Sequence, residues 1–249
     1  MVVSLNKIEE KAPGLLSLAK TAQKSLADYG LNGQVAKVAL VLDYSGSMGQ
    51  QYKNGAMQRL AEKALVLGTQ LDDDGAIDFF VFDSAAAHLG EITIDNYKGS
   101  IDRLTKGRRM GTTNYAAAFR TVRDHYGLAG GTTEKRGFFG KKTVTNAAAK
   151  ADQPVYAIFL TDGAPDSKAE AVKAITEVST APIFWKFLSI GREPMDFLQK
   201  LDDLTDRFVD NADYKPIGDV DKFSDNDLFE ALLDEYPEYL NEIRAKGLI

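Results

Sequence analysis

Four short apolar runs, separated by segments of helical spacing, predict a doubly wound α/β fold: a mostly parallel central sheet with one antiparallel edge strand and helices on both faces. The runs are Val35–Leu42, Ala76–Phe82, Val155–Leu160 and Ile183–Ile190, rich in Val, Ile and Phe. Such near-continuous hydrophobicity marks strands covered on both sides, as in a parallel sheet. The intervening segments carry the second signal, because their apolar residues recur every three or four positions.

Taken in chain order, Ala12–Tyr29 predicts a leading helix: Leu15, Leu18, Ala19, Ala22 and Leu26 share a face, and Gly30 stands where a helix stops. In Asn54–Leu71 the stripe is Met57, Leu60, Ala61, Ala64, Leu65 and Leu71. The run His88–Ile94 follows the second strand too closely for a crossover helix, so it is placed as an antiparallel edge strand joined through Asp83–Ala87. Thr113–Tyr126 repeats the helical stripe with Tyr115, Ala118, Phe119, Val122 and Tyr126. Residues 127–153 are rich in Gly, Thr and Lys without periodicity, and predict an inserted surface loop or small hairpin. Ser167 and Glu170 have capping-box spacing at the start of a further helix, and Phe208–Val209 offers one more short strand. From Ser224 the chain reads as helical: Ser224 and Asp227 suit a cap, and Pro237 suits the first turn of a last helix ending near Gly247. The expected organisation is a helical lead-in over 1–33, a domain over 34–212 and a helical extension over 213–249.

Composition narrows the function classes. The chain has 249 residues and is 44% hydrophobic, enough for one large core. Its formal net charge is −6, from 36 acidic and 30 basic residues, which gives no overall field for phosphate backbones and argues against nucleic-acid binding. There is no cysteine, so disulfides, thiolate metal sites and cysteine nucleophiles are excluded. The opening residues carry no apolar stretch of signal-peptide length, and no window reaches the roughly 18 to 20 apolar residues of a membrane helix. The expectation is a cytoplasmic protein without membrane insertion.

In an open parallel sheet, ligands bind beyond the carboxyl ends of the strands. The first run ends Asp43-Tyr44-Ser45-Gly46-Ser47, the third ends Thr161-Asp162-Gly163, and the loop before the second periodic helix reads Gly111-Thr112-Thr113-Asn114-Tyr115. Gathered together, these segments offer two carboxylates and three hydroxyls, an all-oxygen set suited to a hard cation. Alternating Asp-x-Ser-x-Ser lets a chain leaving a strand turn three oxygens toward one point. The helix beginning near Thr113 presents its positive end, which favours an incoming carboxylate. As turn and cap residues alone, Asp43, Ser47 and Asp162 would instead satisfy loop amides.

In order and spacing these motifs resemble the metal-ion-dependent adhesion site (MIDAS) of von Willebrand factor A (vWA) domains, over roughly Val35 to Gly191. The chain looks closest to the bacterial tellurite-resistance-associated group and, more distantly, to copines. The resemblance implies metal coordination by Ser45 and Ser47, contact from Asp43 and Asp162 directly or through water, and a conformation-dependent contact from Thr113, with Thr112 as the alternative. It also implies Mg²⁺ as the ion, with Mn²⁺ or Ca²⁺ possible, and a protein partner that supplies an Asp or Glu carboxylate in a bacterial stress-response setting.

Rival chemistries fit less well. Ser45-Gly46-Ser47-Met48-Gly49 lacks the leading glycine of a nucleophile elbow, and only His88 and His125 are available as bases, so both are read as surface or structural histidines. Asp43-Tyr44-Ser45 resembles a haloacid-dehalogenase-type phosphatase motif whose general acid is replaced by Ser45. A metal-dependent phosphatase or esterase at the same residues is the alternative to non-catalytic binding. No dinucleotide or phosphate-loop signature is present. Arg103, Lys106, Arg108 and Arg109 form a basic rim expected beside the metal, where it would steer an acidic partner. Lys135, Arg136, Lys141 and Lys142 form a second basic group. Asp83 and Asp166 follow strand ends and are read as turn and helix-start residues, with acceptance from the metal's water or hydroxyl ligands as the alternative.

Overall fold

The computed structural model describes residues 3–72, 74–136, 142–191 and 195–249, with backbone alone for 132–136 and 142–146. A short helix, α1 (Leu5–Lys11), is capped by Ser4 and precedes α2 (Leu16–Asp28). The expected leading helix therefore begins later than Ala12, because Pro13–Leu15 forms a separate 3₁₀ turn. β1 (Lys37–Asp43) is followed by α3 (Gly49–Lys53) and α4 (Ala56–Leu71). Then come β2 (Ala76–Phe82), β3 (Ala86–Thr93), α5 (Ser100–Thr105) and α6 (Tyr115–His125). β4 (Thr132–Arg136) and β5 (Lys142–Asn146) pair as an antiparallel hairpin in the segment read as a loop or hairpin. β6 (Val155–Thr161), α7 (Lys168–Val178), β7 (Ile183–Ile190) and α8 (Asp196–Asp202) continue the alternation. β8 (Ala212–Gly218), α9 (Asp225–Leu233) and α10 (Tyr236–Ala245) complete it.

The six-stranded sheet runs β3-β2-β1-β6-β7-β8, and only β3 is antiparallel to its neighbour. This is the doubly wound α/β arrangement that the apolar runs predict. Successive β1 residues serve opposite layers: Val38, Leu40 and Leu42 pack with α2, α4, α9 and α10, while Ala39 and Val41 pack with α6, α7 and α8. Every residue of β6 and β7 is buried, which is why their sequences are almost wholly apolar apart from Thr161, Lys186 and Ser189.

The sixth strand corrects an expectation. Phe208–Val209 is not a strand; Phe208 is 41% exposed and its N–H is held by the Ser179 hydroxyl at 2.8 Å. The sheet is closed instead by Ala212–Gly218, so 213–249 is not wholly helical. That strand hides its character because Asp213, Lys215 and Pro216 interrupt it, and an edge position tolerates them. Asp213 meets Lys186 of β7, a fully buried lysine that also bonds Asp234 at 2.7 Å. Ser167 and Ser224 cap α7 and α9, accepting from Glu170 and Asp227 N–H groups, and Pro237 stands in the first turn of α10. Among the described residues no helix is long and apolar enough to cross a membrane.

Candidate metal centre

β1 lies between β2 and β6, so chains leaving the carboxyl ends of β1 and β6 diverge there and open a crevice. Asp43, the last residue of β1, is completely buried. Its Oδ1 accepts the Ser45 N–H at 2.8 Å and its Oδ2 accepts the Thr161 hydroxyl at 2.6 Å. The chain thus folds back over its own carboxylate before entering the 3₁₀ turn Gly46–Met48. Ser45 Oγ comes within 3.1 Å of Ser47 Oγ, and Ser47 Oγ donates to Asp162 Oδ1 at 2.8 Å. Four of the five sequence-selected residues form one continuous hydrogen-bonded chain. Burial pushes the Asp43 carboxyl up to about 6, against the lowering effect of hydrogen bonds from Thr161 and Ser45, and nearby Asp162 adds to the rise.

The third motif is brought to the same place by backbone pairing. Ser45 and Gly111 form an isolated parallel bridge; Gly46 N–H donates to Gly111 O, and Gly111 N–H to Tyr44 O, each at 3.2 Å. A Cβ at residue 111 would stand 2.8 Å from Ser84 Oγ and 3.1 Å from Asp83 Cβ, so only glycine lets this loop lie so close. The two threonines then differ. Thr112 Oγ1 donates to Asp166 Oδ2 at 2.5 Å and lies 3.1 Å from Ser84 Oγ, whereas the Thr113 hydroxyl makes no hydrogen bond with a described residue. Thr113 is therefore the member of the pair whose oxygen is free for a ligand. Asn114 caps α6, its Oδ1 accepting from Ala117 N–H at 3.0 Å. The positive end of that helix consequently faces the crevice.

Several supporting residues escaped sequence reasoning. Thr161 orients Asp43; Tyr115, read only as part of an apolar stripe, bonds Thr161 at 3.2 Å and also Gly163 O; Tyr52 donates to Asp43 O at 2.9 Å. A polar atom on an otherwise packed aromatic was the available signal. Asp166, by contrast, takes the supporting role given as its alternative: its Oδ2 accepts from the Thr112 hydroxyl and from Thr113 N–H, and its own N–H donates to Thr113 O at 2.8 Å. Asp83 forms the expected turn, accepting Ala85 N–H at 2.9 Å. The basic rim is less uniform than its sequence. Arg103 donates to the carbonyls of Asn96 and Lys98, and Arg108 leans on Asp83 at 3.5 Å, leaving Lys106 and Arg109 exposed. Lys141 lies outside the described residues, as do the side chains of Lys135, Arg136 and Lys142. His88, paired with Phe80 of β2, and His125 border a cavity lined by Lys37, Asp72, Asp74 and Asp78 rather than by Ser45 or Ser47.

Two carboxylates and three hydroxyls make an oxygen-only donor set, matched to hard divalent ions rather than to those that seek imidazole or thiolate. No basic side chain takes part in the hydrogen-bonded chain from Asp43 to Asp162. The residues present therefore fit a cation.

Residues 35–249 match the family described as "vWA found in TerF C terminus". The chain is 33% identical over 219 residues to the uncharacterized protein YcbR of Bacillus subtilis (strain 168), covering 86% of this chain and 81% of that one. Among solved structures it is similar to proximal thread matrix protein 1 from the mussel byssus, with a TM-score of 0.52 at 13% identity over 81% of this chain. It spans 48% of that protein's chain. A further structure of the same mussel protein, described as having a zinc-occupied MIDAS motif, gives a TM-score of 0.51 at 13% identity, with 81% of this chain and 48% of that one covered.

Proposed function

Because this chain belongs to the vWA family found at the TerF C terminus, we propose that it is a metal-dependent protein-binding module of the bacterial cytoplasm. In this reading Asp43, Ser45, Ser47, Thr113 and Asp162 hold one Mg²⁺, replaceable by Mn²⁺ or Ca²⁺, and a partner's Asp or Glu completes the site. The bound ion would supply an electrophilic centre for that carboxylate. The chain's own residues do the rest: Thr161 and Ser45 N–H orient Asp43, Asp166 fixes the threonine loop, and the amino end of α6 draws the incoming anion. The family's link to TerF suggests a role in the response to tellurite or other toxic ions.

The reading rests on one observation, the chain of hydrogen bonds from Asp43 through Ser45 and Ser47 to Asp162 beside a threonine hydroxyl that has no partner among the described residues. Binding without catalysis is favoured because both histidines of the chain are turned to Asp78 and its cavity, so no imidazole base stands at either serine. Titration calorimetry with Mg²⁺ and Mn²⁺, paired with a chelator-sensitive pull-down from cells of the source organism, tests it. The expectation is one ion per chain and a retained partner that is lost with EDTA or with Asp43→Ala. Absence of any metal heat or metal-induced stabilisation in the wild type refutes the proposal, and metal-stimulated phosphatase or esterase turnover would move it to the hydrolase reading.

A further inference from the structure

The chain contains only two histidines, and the fold packs them against each other, tilted by 38° with ring centroids 4.1 Å apart. His88 lies on β3 and His125 is the last residue of α6. Their meeting depends on an irregularity between β2 and β3. The ladder pairs Asp78 with Glu91 and Phe79 with Gly90, then shifts so that Phe80 pairs with His88. The extra residue is accommodated at Gly90, whose φ of 126° is open to glycine alone among common residues. The shift returns His88 to the face that carries Asp78 and Phe80, the face covered by α6.

Asp78 Oδ1 then faces both rings, 2.7 Å from His88 Nε2 and 3.4 Å from His125 Nε2. Its other oxygen accepts the Tyr126 hydroxyl at 2.6 Å. Burial first, and the charge of Asp78 next, push that phenol well above its ordinary value, so it stays a donor and fixes the carboxylate. Phe80 supports both imidazoles, with centroids 4.9 and 5.1 Å away. The imidazoles keep 28% and 31% of their side-chain surface exposed and border a cavity of about 180 Å³. Asp72, Asp74 and Glu91 also line it, and Lys37 there binds Asp72 and Asp74 at 2.9 and 2.8 Å.

We infer that Asp78, His88 and His125 form a second metal site, for a borderline transition-metal dication of the zinc class, at the end of the sheet opposite the oxygen cluster. One ligand atom from each lies within 4.8 Å of the others. Two imidazole nitrogens and one carboxylate oxygen favour Zn²⁺, Ni²⁺ or Cu²⁺ over Mg²⁺, and three protein ligands leave a coordination position open. Tyr126 supplies the outer hydrogen bond that such sites use to orient a ligand. The carbonyl end of α6 at His125 and the excess of carboxylates around the cavity both favour a cation. On binding, each neutral imidazole carries its single hydrogen on Nδ1 and turns the Nε2 lone pair to the ion, replacing the His88 hydrogen bond and the closer approach of His125 now directed at Asp78.

With two histidines, the imidazole ¹H–¹⁵N spectrum of the labelled full chain reports this site without mutation. Titration with ZnCl₂ in excess Mg²⁺ should shift the Nε2 signals of both rings together and saturate near one equivalent at this site. His88→Asn and His125→Asn should each weaken Zn²⁺ binding at least about tenfold, while Tyr126→Phe should weaken it less. Circular dichroism checks that each variant is folded. Zn²⁺ that leaves either imidazole unmoved, or shifts that keep rising into the millimolar range, would overturn the inference in the wild type alone. Unchanged affinity in both folded histidine variants would do the same.

Discussion

Replacing Asp43 with Asn should make the metal-free protein more stable at neutral pH, although it removes a residue at the centre of the proposed site. Asp43 is fully buried, and burial raises it from an ordinary 3.8 to about 6. Below about pH 4 the carboxyl is protonated whether the chain is folded or not, and its burial carries no ionic penalty. Between about pH 4 and pH 6 the unfolded chain gives up this proton while the folded protein retains it, so stability falls across this window and levels off above it. At about 1.36 kcal/mol per pH unit the full penalty is on the order of 3 kcal/mol. Asn keeps the shape and still accepts from Ser45 N–H. Its amide can donate to Thr161 Oγ1, because that hydroxyl has a second acceptor, Gly163 O, at 3.0 Å. Urea denaturation of both proteins in EDTA, from pH 4 to pH 7.5, measures the difference. Asp72 and Asp202 are also raised to about 6 by burial, but they are common to both proteins and cancel. The Asn variant should lead by roughly 2–3 kcal/mol at pH 7.5, with the gap closing by pH 4. Saturating Mg²⁺ should then stabilise the wild type alone, by about 2.7 kcal/mol at a hundred times its dissociation constant. A variant less stable than wild type in EDTA at pH 7.5, or a gap independent of pH, refutes the argument.

The two threonines should separate by phenotype. Thr113→Ala should weaken Mg²⁺-dependent partner binding with a change in melting temperature of no more than a degree or so, whereas Thr112→Ala should destabilise by about 1 kcal/mol through loss of its bond to Asp166; calorimetry and thermal melts read both. Lys186→Ala should cost about 3–5 kcal/mol, because it leaves Asp213, 1% exposed, without its ion-pair partner; a loss below 1 kcal/mol in urea melts contradicts this. Arg109→Ala should slow partner association and flatten its salt dependence more than Arg108→Ala, since Arg108 already leans on Asp83; stopped-flow or surface association rates at two ionic strengths decide.

The interior strands were legible because a strand buried on both sides must be mainly apolar, and β1, β2, β6 and β7 are so apart from their ends and from Asp78, Lys186 and Ser189. β8 was not, because an edge strand needs only one partner and Asp213 is neutralised by a lysine on a different strand. α1 was missed for a related reason: its seven residues, LNKIEEK, bury only Ile8, and the Ser4 cap is what marks its start. Of the oxygen cluster, the residues contributed by short local spacing were visible in the sequence. The supporting roles of Thr161, Tyr115 and Tyr52 were not, since they arise from contacts between segments far apart in the chain, and Asp166 was weighed as a supporting acceptor but read first as a helix start. The meeting of His88 with His125 was hidden in the same way, behind a one-residue slip in a ladder.

Helix α6 joins the two ends of the molecule. It has 11 residues, about 16 Å of rod, too short to absorb displacement by bending. Its first turn is tethered through Asn114 to Asp83 and Ser84, its flank through Arg120 and Arg123 to Glu177 of α7, and its last residues through His125 and Tyr126 to Asp78. Any axial slide that a guest imposes at one tip must be matched by sliding at the other. The work needed is the same whichever tip is pushed, so occupants of the two ends would feel one another with equal strength in both directions.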